Sequence, residues 1–212
     1  MNTGERPPSY ILLAILGRLI ATFSLTCSEA AKLTLIDALL AEVVPLYTRL
    51  KIWKGEPLET AVVGGVADFL IAPRRGYMET PLLYAVEARR DDFDAGETQC
   101  IAEMAAYRDN NIRDGHDLEV HGIVSNGQGW VSYRLTRTPE VYVSGLFTMN
   151  DLPKLLGALD HVIAACADTI PQRLICAGSA REANEATNVY GAGFTLKLYL
   201  PEPTAKTAVS PS

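Results

Sequence analysis

Apolar residues at Leu12, Ile15, Leu16, Leu19, Ile20 and Phe23 recur at the three-and-four spacing of one helix face. The segment from Ile11 to Leu25 is therefore expected to be an amphipathic helix packed on the domain, with Arg18 toward water. Ser28 stands where a helix N-cap is wanted, and Leu33, Ile36, Leu39, Leu40 and Val43 keep the spacing until Pro45 stops it, giving a second helix over roughly 28 to 44. From Tyr47 onward the pattern shortens. Leu50 to Trp53, Ala61 to Val63, Ala67 to Ala72 and Leu82 to Ala88 are brief apolar runs separated by Gly, Pro and charge, as strands require. Helical spacing returns from Gly96 to Asn110, with Cys100, Ile101, Met104, Ala105 and Arg108 on one side and an exit expected through Asn110-Asn111 and Asp114-Gly115. Two strands follow, Val120 to Val124 and Trp130 to Leu135, joined through Ser125-Asn126-Gly127-Gln128-Gly129, where Asn-Gly suits the positive φ of a tight hairpin. Another strand is expected over Val141 to Leu146, then an amphipathic helix after Asn150-Asp151 carrying Leu152, Leu155, Leu156, Leu159, Val162 and Ile163, then a late strand over Gly193 to Leu200.

This order predicts an α/β sandwich, a central mixed sheet flanked by helices, rather than a regular βαβ array. A dinucleotide-binding reading fails, because Gly191-Ala192-Gly193 lacks the third glycine and does not lie between a strand and a helix. The 212 residues suit one domain, expected over 1–200, and the Pro-, Thr-, Ser- and Ala-rich stretch 201–212 reads as a disordered tail. A composition of 48% hydrophobic and 21% charged residues excludes wholesale disorder and collagen-like repeats. The net charge of -6 argues against a surface that coats nucleic acid by bulk electrostatics, while leaving room for a local basic groove. The stretch Ile11 to Leu25 is shorter than a membrane span and is broken by Arg18, and its leading flank lacks a basic cluster, so no membrane span and a cytoplasmic location are expected. Cys27, Cys100, Cys166 and Cys176 show no metal-ligand spacing and read as buried free thiols.

The chemistry concentrates in one constellation. Asp68 is a charged residue among Gly64-Gly65-Val66-Ala67-Asp68-Phe69-Leu70-Ile71, where burial is costly unless something pairs with it. The apolar run Leu82 to Ala88 ends in Glu87 and Arg89, two positions apart and so on one face of a strand. Neighbouring strands would bring Asp68 and Glu87 together, and two carboxylates with water suit the oxygen-rich shell of Mg²⁺. Gln99 and Glu103, one helical turn apart, can face the same place. The same residues admit a structural reading, in which Asp68 caps or pairs with Arg89 and Gln99 satisfies a helix end. Arg74, Arg75, Arg89 and Arg90 either supply positive charge near the site or are solvated strand-end charges. Trp130 and Tyr133 are expected to pack on the sheet, and His116, His121 and His161 are scattered.

The strings Gly65 to Ile71, Pro81 to Arg89, Gly96-Glu97-Thr98-Gln99 with Glu103-Met104, and Gly122 to Trp130 resemble the PD-(D/E)XK nuclease superfamily, over about residues 28 to 165. They are most like bacterial members of the kind found in cyanobacteria. The resemblance implies a restriction-endonuclease-like fold, Asp68 and Glu87 as ligands of Mg²⁺ or Mn²⁺ with the Ala88 carbonyl as a third, Gln99 as an orienting residue, and Glu42 approaching the site from the preceding helix. The family's catalytic lysine position holds Arg89 here. A guanidinium stays charged and cannot act as a general base, though it can hold a phosphate or stabilise developing negative charge. The expected function is thus a metal-dependent nuclease-like protein acting on DNA phosphodiesters, in which Asp68, Glu87, Arg89 and Gln99 carry the chemistry. The alternative is a catalytically inactive nuclease fold kept as a binding or assembly module. A homodimer fits a nuclease that must address two strands.

Overall fold

The structure is a computed structural model describing residues 4–25, 28–59, 64–75, 78–88, 93–170, 189–190 and 194–195. It divides into two compact units, Met1–Ile175 and Cys176–Ser212. The first is a mixed α/β unit with a seven-stranded sheet flanked by helices.

Helix α1 (Tyr10–Thr22) starts at Ser9, whose Oγ accepts the Leu12 N–H, and α2 (Glu29–Val43) starts at Ser28, whose Oγ accepts the Ala31 N–H. Pro45 takes the first turn of a short 3₁₀ segment, Val44–Leu46, that ends α2. Strands β1 (Leu50–Glu59) and β2 (Gly64–Pro73) form an antiparallel hairpin, and β2 pairs antiparallel with β3 (Tyr84–Ala88). Helix α3 (Phe93–Arg113) then crosses over, so β4 (Val120–Ser125) lies parallel to β3. Strand β5 (Gly129–Leu135) returns antiparallel beside β4 and carries β6 (Val141–Val143) and β7 (Phe147–Thr148) on its far side. Gly127 supplies the hairpin's left-handed residue at φ +85°, while the Asn126 side chain accepts the N–H groups of Gln128 and Gly129. Helix α4 (Leu152–Thr169) closes the unit.

Strand alternation divides the core in two. Phe69, Ile71, Tyr84, Val86 and Ile123 face a layer of α1, α2 and α4, where Leu35 and Ile36 pack with Leu39, Leu156 and Ile163. Leu70, Ala85, Val120 and Val124 face α3 through Cys100, Met104 and Tyr107. Helix α3 approaches β4 so closely at Gly122 that a methyl there would lie 2.5 Å from Cys100 Sγ and Met104 Sδ.

Several expectations change in detail. In α1 only Leu12 and Leu16 are buried and Leu19 half-buried, whereas Ile15, Ile20 and Phe23 are exposed, so apolar spacing overstates the packed face. Helix α3 continues past Asn110-Asn111 to Arg113, because the fully buried Asn111 is used tertiarily: its Oδ1 accepts the Leu82 N–H at 2.7 Å and its Nδ2 donates to the Leu82 carbonyl at 2.8 Å. The stretch Val141 to Leu146 splits, with β6 ending at Val143 and β7 beginning at Phe147. Cys100 and Cys166 are buried free thiols, and Trp130 and Tyr133 are buried on the sheet. Cys27, Cys176, Ala61 to Val63 and 201–212 lie outside the described residues. Among the described residues no helix is long and apolar enough to cross a membrane.

The second unit contains a two-stranded antiparallel pair, β8 (Val189–Tyr190) and β9 (Phe194–Thr195), the latter within the segment expected to form a late strand.

Candidate active site

The β2–β3 register places Phe69 opposite Val86, Leu70 opposite Ala85 and Ile71 opposite Tyr84. One step beyond Phe69 and Val86 come Asp68 and Glu87, and the pleat puts both on the α3 face, the side that Leu70 and Ala85 also take. Residues directly opposite on adjacent strands hold their Cβ atoms about 5 Å apart. The pairing is fixed by a side-chain bond, since Asp68 Oδ2 accepts the Ala88 N–H at 2.9 Å. Asp68 is half-buried, and Glu87 is 1% exposed.

Helix α3 supplies the opposite wall. Gln99 donates from Nε2 to Glu103 Oε1 at 3.2 Å, one turn along the helix, and Glu103 is buried at 4% exposure. Glu103 and Glu87 act on the same neighbours: burial first, then the carboxylates of Glu103 and Glu87, hold the Cys100 thiol and the Tyr107 phenol well above their ordinary pKa values. Carboxylates from β3 and α3 thus bear on the same buried Cys100 and Tyr107 side chains, and the Gln99 amide is bonded to one of these carboxylates, that of Glu103.

On the far side of Asp68 is a residue that apolar patterning gives no reason to notice. The β1–β2 register pairs Lys54 with Phe69 and Glu56 with Ala67, which leaves Gly55 across from Asp68. Gly55 has φ +65°, and no other group lies within 4 Å of where a Cβ would project. A glycine inside a strand marks either a bulge or a place where another molecule comes close to the backbone. Its signal in the sequence is slight, because Lys54-Gly55-Glu56 reads as an ordinary polar turn.

The other expected members fall elsewhere. Glu42 accepts hydrogen bonds from Ser9 N at 2.9 Å and Ser9 Oγ at 2.8 Å, so it anchors the start of α1 on the other helical layer. Arg74 and Arg75 follow the far end of β2, with Arg74 six residues from Asp68, which at strand rise is about 20 Å. There Arg74 Nε donates to the Thr48 carbonyl and Arg75 pairs with Glu79 at 3.1 Å. Ten residues of strand with Asp68 near the middle make the separation unavoidable. Arg89 and Arg90 lie outside the described residues.

Oxygen donors dominate the region, which is the donor chemistry of Mg²⁺ and Mn²⁺ rather than of a softer metal. Among the described residues, no group of three or more His, Cys, Asp and Glu side chains converges as a ligand set. Asp68 and Glu87 would by themselves be only part of an Mg²⁺ shell, with water in the remaining positions, as Mg²⁺ commonly accepts. No family model, no curated protein and no solved structure matches the chain.

Proposed function

We propose that this chain is a PD-(D/E)XK-type, Mg²⁺-dependent nuclease-like protein acting on DNA phosphodiesters. The observation that carries the reading is the placement of Asp68 beside Glu87 on adjacent strands, on the face of the sheet that α3 covers. Two carboxylates directly opposite on a sheet repel each other. The backbone N–H that fixes the Asp68 carboxylate beside Glu87, and the glycine across from it on β1, support a cation there.

Asp68 and Glu87 would be the residues that hold Mg²⁺ or Mn²⁺, together with the Ala88 carbonyl. The ion would neutralise phosphate charge and acidify a bound water. The chain's own contribution is positional. The Ala88 N–H fixes the direction of the Asp68 carboxylate. The Gln99 amide, held by Glu103, offers a neutral hydrogen-bonding group at the edge of the site. Arg89, next but one after Glu87 in the chain, would meet a scissile phosphate as a permanent cation and stabilise negative charge building on its oxygens. It cannot take a proton from water, so that duty would pass to a carboxylate.

A second reading, a non-catalytic module that retains the fold, draws on the arginine at the lysine position and the net charge of -6. Incubating supercoiled DNA with the protein and Mg²⁺ or Mn²⁺ separates the two. Nicking that disappears in Asp68→Ala and in Glu87→Ala supports the nuclease. Equal activity in all three proteins removes these residues from the chemistry. Cleavage that appears only in Arg89→Lys would identify an intact site lacking one group.

A further inference from the structure

The face of the sheet turned away from Asp68 and Glu87 carries a row of polar side chains at its β5 end. The β4–β5 register sets His121 directly opposite Arg134, and the β5–β6 register sets Arg134 directly opposite Tyr142. Strand alternation puts this row on the side taken by Ile123 and Trp130, which is the side that α4 covers. Ser132, two positions before Arg134, shares it. Here sheet and helix do not close. Where the chain passes from β6 to β7, a cavity of about 290 Å³ is bounded by His121, Ser132 and Arg134, by Tyr142 at the edge, and by Phe147 and Val162.

The polar groups around this cavity are costly to leave as they stand. His121 is 5% exposed and Ser132 8%, and among the described residues neither the imidazole nor the Ser132 hydroxyl has a hydrogen-bond partner. Buried polar side chains of native proteins nearly always have one. Arg134 is in a similar condition, since its Nε is buried without a partner and its ion-pair partner Glu119 stands 3.7 Å away, beyond hydrogen-bond length. The Tyr142 ring, with its centroid 4.9 Å from the guanidinium, holds that cation at the wall.

These groups define the chemistry of an occupant. Arg134 is a permanent cation whose planar fork matches a carboxylate. Among the described residues lining the cavity it is the only one of fixed charge, because burial, with Arg134 and His161 nearby, lowers the His121 pKa to about 4 and leaves the imidazole neutral at pH 7. Glu119 already offsets part of the arginine charge. One negative charge is therefore matched, and the two of a phosphate monoester are not. Phe147, Val162 and the Tyr142 ring supply apolar wall, and the volume lies at the small end of ligand sites.

We propose that this cavity binds a small monocarboxylate with a compact apolar body, its carboxylate on Arg134, Ser132 and His121 and its apolar part against Phe147 and Val162. The cavity is on the opposite face of the sheet from Asp68 and Glu87, so this proposal and the nuclease reading stand or fall separately.

The test is a benzoate titration of the full chain, followed by nuclear magnetic resonance at the Cε1 positions of its three histidines, with the His121 signal identified by its loss in His121→Gln. The expected result is a saturable shift of the His121 signal with His116 unmoved. Binding should weaken about tenfold or more in Arg134→Gln, and by a similar factor when benzyl alcohol, which lacks the charge, replaces benzoate. Arg134→Lys, which keeps the charge without the fork, should fall between. Ser132→Ala is a smaller change that should weaken benzoate severalfold, and it keeps the comparison open if an Arg134 variant does not fold. No saturable shift at millimolar benzoate overturns the proposal, as does unchanged affinity in every folded variant. Benzyl alcohol binding as tightly as benzoate overturns it by marking a merely apolar void, and tighter binding of inorganic phosphate overturns it by assigning the cavity to another class of anion.

Discussion

Asp68 accepts the backbone N–H of Ala88 at 2.9 Å, and this bond places its carboxylate beside Glu87 on the face of the sheet that α3 covers. Glu87 itself is 1% exposed. On the proposed reading, a bound cation would offset part of the cost of bringing two acids together under a helix.

A cation that binds the folded state alone stabilises it by mass action, by about 2.7 kcal/mol at a hundred times its dissociation constant. Millimolar Mn²⁺ should therefore raise the melting temperature of the wild-type protein. Glu87→Gln, which keeps size and loses charge, should abolish that rise. An equal rise in both proteins would place the ion elsewhere.

His121 gives the protein a pH dependence separate from the site. Burial first, then electrostatic interaction with Arg134 and with His161, lowers its pKa from 6.5 to about 4. Between these values the unfolded chain binds a proton that the folded one does not, so stability falls as pH drops from about 6.5 toward 4 and levels off below. The loss from this group approaches ~3 kcal/mol, at about 1.4 kcal/mol for each pH unit between the two values. Urea midpoints measured from pH 7 down to pH 4 should fall more steeply for wild type than for His121→Gln. Parallel curves would show that this imidazole is not the titrating group.

Asn111 tests the link between α3 and β3. Asn111→Ala removes both bonds to Leu82 and leaves a buried N–H and carbonyl with lost partners, a cost of about 2–4 kcal/mol. Asn111→Asp retains the acceptor for the Leu82 N–H and, while protonated, a donor for the Leu82 carbonyl. Once ionised it buries a charge against that carbonyl. Denaturant unfolding of the two variants at pH 5 and pH 8 resolves this, since only the aspartate should show added instability at the higher pH.

Gly55 separates conformational need from open space. Gly55→Ala meets a φ of +65° that costs an alanine about 1 kcal/mol, whereas asparagine tolerates that region. Gly55→Asn should thus keep most of the stability yet crowd the β1 side of Asp68, lowering Mn²⁺ affinity. Isothermal titration at equal folded fraction reads the difference.

Much of this arrangement is legible in the chain. Asp68, the Glu87 strand end and the Gln99–Glu103 helix follow from apolar runs and their spacing, and the strand pairing then brings them to one face. What escapes depends on distances that periodicity does not carry. Arg74 and Arg75 look adjacent to Asp68 until β2 proves long and straight enough to carry them to its other end. Glu42 sits on a helix that could carry a site residue, yet α2 packs on the opposite layer and Glu42 serves Ser9. Asn110-Asn111 resembles a helix exit because asparagine favours turns, and only the tertiary bond to Leu82 explains why the helix runs on. In α1 the spacing of Leu12, Leu16 and Leu19 is informative, but the apolar residues between them leave open which side is covered.

Diffraction from a crystal soaked in Mn²⁺, recorded for anomalous signal, tests the central claim most directly. The account predicts a peak between the carboxylates of Asp68 and Glu87, within about 2.0–2.5 Å of an oxygen of each, and its loss in Glu87→Gln. Carboxylates that lie together with no ion between them at saturating Mn²⁺, or a Glu87 side chain turned away from Asp68, would contradict it.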